Sequence, residues 1–240
     1  MNYAYKPHES LLQAFDSLFR GKIYRHRDQS LGNWVAAHLF NDLLDVARSA
    51  KFVARVNTGT GVRHRDKRIV GGLGRRGDGA FGALLPGASA IAEEGFAVKR
   101  GPVGQVEIGA ETKILSKTMV RQLGRVVSDL EKQVLAFQVT KGNPICIALI
   151  GVNHAAEYMS REGRRKWKTT GQGSYPHPIQ EAHKVIDRLI AVPGYDEKLI
   201  LPYSATNYPP YDFFWEDFEK TREEYSALLV RVSSAYESRF

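Results

Sequence analysis

From residue 104 to 115 the chain reads Gly-Gln-Val-Glu-Ile-Gly-Ala-Glu-Thr-Lys-Ile-Leu. As a strand, this sends Val106, Ile108, Ala110, Thr112 and Ile114 to one face and Glu107, Gly109, Glu111 and Lys113 to the other. The first face is apolar and the second carries charge. Ser116 is expected to cap a long helix running to about residue 139. Its predicted buried stripe is Met119, Val120, Leu123, Val126, Val127, Leu130, Val134 and Phe137. Asn143-Pro144 breaks that helix, and residues 145–152 are a continuous apolar run, typical of a strand buried on both faces. A strand, a helix and a strand joined by short connections predict a right-handed crossover and a parallel pair.

The same periodicities place further elements around this unit. Leu11, Leu12, Phe15, Leu18 and Phe19 predict a first helix ending at Gly21, and Leu31, Val35, Leu39, Leu43 and Val46 a second, from Ser30 to about residue 50. Asp42 and Asp45 lie beside the second stripe, as a solvated edge or as further acids near a site. Residues 52–56 and 80–85 read as strands, and 96–99 with 103–115 as a hairpin around Arg100-Gly101-Pro102. Farther on, 179–192 is an amphipathic helix, 198–201 a strand and 203–215 a packed irregular segment. The last helix is expected to open near Asp212, with Phe214, Phe218, Tyr225, Leu228, Leu229 and Val232 inward. The expected fold is α/β, a mixed central sheet flanked by helices, in a single domain over 1–240. N-terminal helices occupy 1–50, the core 51–152, and a basic loop, a strand and C-terminal helices 153–240.

Composition changes this picture in one respect. Hydrophobic content of 43% and charged content of 25% are ordinary for a globular protein. A formal charge of +8 and a pI near 9.5 are less ordinary and point to a polyanionic partner such as nucleic acid. The apolar runs are too short for a membrane span, and no lipidation motif is visible, so no membrane partner is expected. The single cysteine, Cys146, sits in the 145–152 run as a core residue and fits a cytoplasmic setting. The basic residues cluster in two stretches. Arg63, Arg65, Lys67, Arg68, Arg75 and Arg76 are interleaved with glycines, and Arg164, Arg165, Lys166 and Lys168 surround Trp167. The first suits an arm that follows a phosphodiester backbone, the second a loop that contacts phosphates and stacks on or wedges against a base; ordinary charged surface loops are the plainer alternative. Gly71, Gly72 and Gly74 lack P-loop spacing, so no nucleotide cofactor is expected.

The charged face of the 104–115 strand carries the candidate chemistry. Residues two apart on a strand lie about 6–7 Å apart along the backbone, so Glu111 and Lys113 can lean on one reacting group. Upstream, Asp78 stands between two glycines. Phosphodiester hydrolysis uses a divalent ion to neutralise developing charge and supply hydroxide near neutral pH, and Mg²⁺ typically takes one or two carboxylates. Asp78 and Glu111 are those candidate ligands, with the Ala110 carbonyl or Thr112 nearby, and Lys113 is the cation that orients water or stabilises the phosphorane. Glu107, about 13 Å from Glu111 along the strand, is a secondary acid. The plain alternative is a surface Glu–Lys pair. A second carboxylate-x-lysine, Asp196 to Lys198, starts a strand and has no glycine-flanked acid upstream. No HExxH pattern, cysteine cluster or G-x-S-x-G elbow competes, although His154, just past the apolar run, is a residue to watch.

Asp78 followed by Glu111-Thr112-Lys113, a helix and a buried strand resembles the PD-(D/E)xK nuclease superfamily, and within it the type II restriction endonucleases. The match covers about residues 78–152, without the family's frequent proline before the acid. The resemblance implies a restriction-endonuclease-like core, dependence on Mg²⁺ with Mn²⁺ as a substitute, and cleavage of double-stranded DNA, often by a homodimer. The aromatic stretch 208–218, if exposed, is the candidate dimer surface. The alternatives are a non-catalytic nucleic-acid-binding protein, in which Asp78 and Glu111 would lie far apart, and a repair or RNA-directed nuclease.

Overall fold

The computed structural model describes residues 3–25, 28, 30–64, 77–139, 142–162 and 165–240, with only the backbone of Glu162 and Arg165. Three helices, α1 (Ser10–Ser17), α2 (Ser30–Val46) and α3 (Ala50–Asn57), lead into strands β1 (Gly61–His64), β2 (Gly79–Leu84), β3 (Ile91–Glu93), β4 (Phe96–Gly101) and β5 (Val103–Leu115). Helix α4 (Met119–Gln138) and strand β6 (Ile145–Asn153) follow, then a hairpin of β7 (Met159–Glu162) and β8 (Arg165–Lys168). Helix α5 (Pro178–Ile190), strands β9 (Glu197–Ala205) and β10 (Phe213–Trp215), and helix α6 (Phe218–Arg239) complete the chain. Eight strands form one curled mixed sheet in the order β10-β9-β6-β5-β2-β1-β4-β3. Strands β5, β6 and β9 are parallel to one another, and β2 lies antiparallel on the other side of β5.

The two faces of the sheet are covered by different helices. On one face, side chains of α1, α2, α3 and α6 pack on Phe81, Ile108, Ile147 and Leu201. On the other, α4 and α5 pack on Ala148, Ile150 and Val152, and the end of α4 reaches Val106 and Cys146. Residues 145–152 are buried throughout because both layers press on them, so the apolar run is the strand buried on both faces that was expected. No helix among the described residues is long and apolar enough to cross a membrane.

Several expected elements take a different form. Residues 52–56 lie in α3, where Phe52 and Val56 are buried one turn apart and Ser49 caps the helix by accepting from Phe52 N–H at 3.1 Å. Residues 96–101 and 103–115 are not a hairpin. Pro102 has no N–H to extend a ladder, and the chain bends there: β4 joins β1 and β3, while β5 joins β2. The long helix starts at Met119, not after Ser116. Its N-cap, Thr118, is left-handed at φ 44° and makes no side-chain cap; Glu181 of α5 instead accepts from Met119 N–H at 2.8 Å and Val120 N–H at 3.2 Å. Val120 is consequently exposed, and Gln133 is buried in the helix's inward face.

Residues 213–215 are an edge strand with Phe213 and Trp215 buried, and α6 is capped by Asp217, not Asp212. With Phe213 and Trp215 turned into the core, Phe214 is the exposed ring of the 208–218 stretch, and Tyr208, Tyr211 and Phe218 are half-buried. Asp42 is neither solvated nor near the acids of β5. It is fully buried and holds the start of α1, accepting from Ser10 N–H and Leu11 N–H, each at 2.9 Å, and from the Tyr225 hydroxyl. Burial lifts its carboxyl to about 6 in spite of those donors.

Candidate active site

The site lies where β2 enters the sheet beside the second half of β5. Gly79 pairs with Ala110, which brings Asp78 level with Glu111 and Thr112. Two hydrogen bonds cross between the strands here. Asp78 N–H donates to Glu111 Oε2 at 3.3 Å, and Thr112 N–H donates to Asp78 Oδ2 at 3.0 Å. Lys113 Nζ donates to Glu111 Oε1 at 2.6 Å. Residues some thirty positions apart in sequence therefore form one group, with Glu111 buried and Lys113 half-buried.

Two glycines make room for this arrangement. Gly32 of α2 lies so close to Asp78 that a Cβ there would come within 2.7 Å of Oδ2. At Gly109 of β5 a Cβ would enter the Phe137 ring at 2.6 Å, so the absence of a side chain lets α4 sit directly against the strand. Phe137, Gln133 and Asp129 follow at helical spacing along the same side of α4. They run back along β5 from Gly109 toward Lys113, and the Asp129 carboxylate acts on both Glu111 and Lys113. Asp129 and Gln133 are site neighbours that the sequence reading missed. The available signal was their spacing from Phe137, hidden because both are polar and the helix was read by its apolar stripe.

Burial pushes the Glu111 carboxyl above its ordinary range against the pull of Lys113, and Asp129 adds to the rise. Burial alone would favour a neutral Lys113; Glu111, Asp78 and Asp129 outweigh it and hold the ammonium in its charged form. Three carboxylates thus act on one ammonium, an arrangement that favours a further cation. The donor set fits Mg²⁺: two hard carboxylates in direct reach of each other's strand, with water and substrate phosphate to complete the shell. It does not fit an all-protein cage, since no group of three or more His, Cys, Asp or Glu among the described residues is placed to hold an ion. Thr112 contributes its N–H to Asp78, and its Oγ1 is buried without a hydrogen-bond partner. On the α2 side, Asp78 also lines a cleft of about 110 Å³ with Asn33, His64 and Arg100.

Glu107 does not share the face of Glu111. Phe81 pairs with Ile108 but Gly82 with Val106, so Glu107 is the extra residue of a β-bulge, and the alternation reverses across it. Glu107 consequently turns to the opposite layer, where it bonds Arg55 of α3 and the Tyr236 hydroxyl of α6. It is a buried structural acid and not a second acid of the site.

The expected nucleic-acid contacts divide three ways. Arg63 is buried, donates to Val98 O at 3.1 Å, pairs with Glu93 and lies over the Phe96 ring at 4.1 Å; it ties β1 to β4 and is not free for a phosphate. Lys166 and Lys168 are exposed and Trp167 is half-buried, with Lys168 paired to Glu157 at 2.5 Å. Arg65, Lys67, Arg68, Arg75, Arg76 and Arg164 lie outside the described residues, as does the side chain of Arg165. The second carboxylate-x-lysine also proves structural. Asp196 accepts from Cys146 N–H at 2.8 Å and pairs with Arg239, and Glu197 pairs with Arg231 at 2.8 Å. His154 approaches His183, with ring centroids 5.7 Å apart, and burial lowers its pKa. Comparison with protein-family models, curated proteins and solved structures finds no match.

Proposed function

We propose that the chain is a Mg²⁺-dependent endonuclease that hydrolyses DNA phosphodiester bonds, with Asp78, Glu111 and Lys113 as its working residues. One observation supports the reading above the others: Asp78 N–H donates to Glu111 Oε2 at 3.3 Å, the Asp78 carboxylate accepts from Thr112 N–H beside it at 3.0 Å, and the Lys113 ammonium lies 2.6 Å from Glu111 Oε1. A purely binding role gives no reason to bury Glu111 against a half-buried acid and lysine. The mixed sheet, with β2 antiparallel and β6 parallel to the strand that carries Glu111, also suits the restriction-type nuclease core that the motif resembles.

In this reading Asp78 and Glu111 hold the ion, and Mn²⁺ substitutes for it. When bound, Mg²⁺ supplies charge neutralisation and a hydroxide near neutral pH. Lys113 donates to Glu111 Oε1, and Asp78 and Glu111 are the residues that would hold an ion beside it. The Lys113 ammonium would be the positioned cation that orients the attacking water or stabilises charge on the phosphate, a role that contributes about 10²–10³-fold to rate. Glu111 above all, with Asp78 and Asp129, keeps Lys113 protonated, and Gln133 is buried one turn from Asp129 on α4. Double-stranded DNA as substrate, sequence specificity and a homodimer follow from the resemblance.

Incubation of supercoiled plasmid with wild type and Lys113→Ala, with Mg²⁺ and with EDTA, tests the proposal. Discrete fragments from wild type with Mg²⁺ alone, reduced at least about 10²-fold in the variant, are expected. No cleavage of plasmid, single-stranded DNA or RNA under any condition would overturn it.

A further inference from the structure

We propose that Trp167 and Tyr175 form a stacking platform for one unpaired base of the strand engaged at the Asp78–Glu111–Lys113 site. The inference rests on the nuclease reading for the identity of that strand. The β7–β8 hairpin stands apart from the main sheet, with Ser160 opposite Trp167. Its foot is fixed in the core: Tyr158 N–H donates to Thr169 Oγ1 at 2.9 Å, Thr169 N–H returns a bond to Tyr158 O at 3.0 Å, and Ser160 is fully buried.

Beyond the hairpin the chain closes a tight turn on Tyr175. Thr170 N–H and Gly171 N–H both donate to Tyr175 O at 3.0 Å, and Tyr175 N–H donates to Gln172 O at 3.1 Å. Gly171 and Gly173, at φ 76° and 56°, permit that turn. Tyr175 is thus 46% exposed on a backbone that is held in place. Its ring meets Trp167 edge to face at 4.7 Å and 64°. A held aromatic ring loses little freedom on binding a planar group, which distinguishes it from an aromatic on a loose loop.

Charge points to the occupant. Lys117 Nζ lies 4.6 Å from the Trp167 ring centroid and donates to Ser160 Oγ at 2.6 Å, so a buried cation backs the aromatic pair. Lys166 and Lys168, the neighbours of Trp167 along β8, are exposed, with Lys168 paired to Glu157. An aromatic surface among lysines on a chain of net charge +8 matches a π-face attached to a phosphate backbone. Position points the same way. Lys117 follows Lys113 by four residues, so their Cα atoms are at most about 14 Å apart, or about four steps of a strand at 3.4 Å each. Lys117, which backs Trp167, and the candidate site therefore lie toward the same end of β5.

The test uses duplexes that carry 2-aminopurine at a single unpaired position or in a fully paired context, with EDTA to prevent cleavage. Wild type is expected to bind the unpaired form about 5- to 100-fold more tightly, the range for one stacked base, and to change its 2-aminopurine fluorescence. Tyr175→Phe is expected to keep that preference and Tyr175→Ala to lose it, with unchanged circular dichroism. Equal preference in wild type and Tyr175→Ala overturns the platform, and plasmid cleavage with Mg²⁺ in the same preparations then leaves the nuclease reading intact. A Tyr175-dependent preference without any cleavage supports the platform and overturns the nuclease reading. No binding to either duplex overturns the platform, and plasmid cleavage with Mg²⁺ again decides the nuclease reading separately.

Discussion

Glu107 and Glu111 stand four residues apart on one strand, both buried, and their surroundings are opposites. Glu107 faces the α3–α6 layer with an arginine and a tyrosine hydroxyl on its two oxygens, a set that uses up its charge. Glu111 faces α4 with one lysine, a backbone amide and two other acids near it, a set that leaves negative charge in excess. Burial raises the pKa of both carboxyls, so the proton affinities do not separate them; their partners do. A buried acid that is fully paired serves the fold, whereas one whose surroundings still favour a cation is free to serve chemistry.

The comparison breaks most sharply by substitution. Glu111→Gln is expected to lower cleavage by about 10³-fold or more, since it removes both a proposed metal ligand and the partner of Lys113, while stability changes little. Glu107→Ala should do the reverse. Leaving Arg55 and Tyr236 without their acceptor is expected to cost about 3–5 kcal/mol in urea unfolding, with kcat/KM of the folded fraction within a few-fold of wild type. If Glu107→Ala abolished cleavage in folded protein, the division between the two acids would be wrong.

A smaller effect sharpens the site side. Gly32→Ala places a methyl against an Asp78 carboxylate that Thr112 N–H holds at 3.0 Å, so the carboxylate must move. Displacement of a reacting group by about 1 Å costs up to about 10²-fold, and a loss of about 10- to 100-fold in kcat/KM is expected without change in fold. The smallest effect concerns the helix layer on the Glu107 side. His38 of α2 is largely buried between Trp34 and Phe96, and burial beside Arg63 lowers its pKa to about 4. A histidine depressed in the folded state contributes stability that is present above its ordinary pKa near 6.5 and is lost as pH falls toward 4. Wild type should therefore lose more stability than His38→Phe between pH 6.5 and 4, read as urea midpoints, and equal losses would remove His38 from the account.

Much of the site was legible in the sequence. Asp78 meets Glu111 because β2 runs antiparallel beside β5, and the strand periodicity placed Glu111 and Lys113 on one face. The same periodicity failed four residues earlier, because alternation presumes an unbroken ladder and the bulge opposite Gly82 depends on the partner strand. Phe52 and Val56 satisfy a helix as readily as a short strand, and a capping serine decided between them. The order of strands around β4 was not readable, since Pro102 shows that the chain bends but not where it goes next. Asp129 and Gln133 were invisible because a polar residue facing a polar site resembles one facing solvent.

The start of α4, finally, is held by a residue 62 positions later in the chain. A helix closed by its own first turn can form locally, but this one is completed only when α5 docks. Contacts of such sequence separation form late in folding, because loop closure costs entropy before the contact rewards it. Asp78, Glu111 and Lys113 belong to an earlier stretch of antiparallel strands, while Asp129 and Gln133 arrive with the helix. The expected order of assembly is therefore acids first and their cover second, so that the charged group takes its final environment at the end of folding.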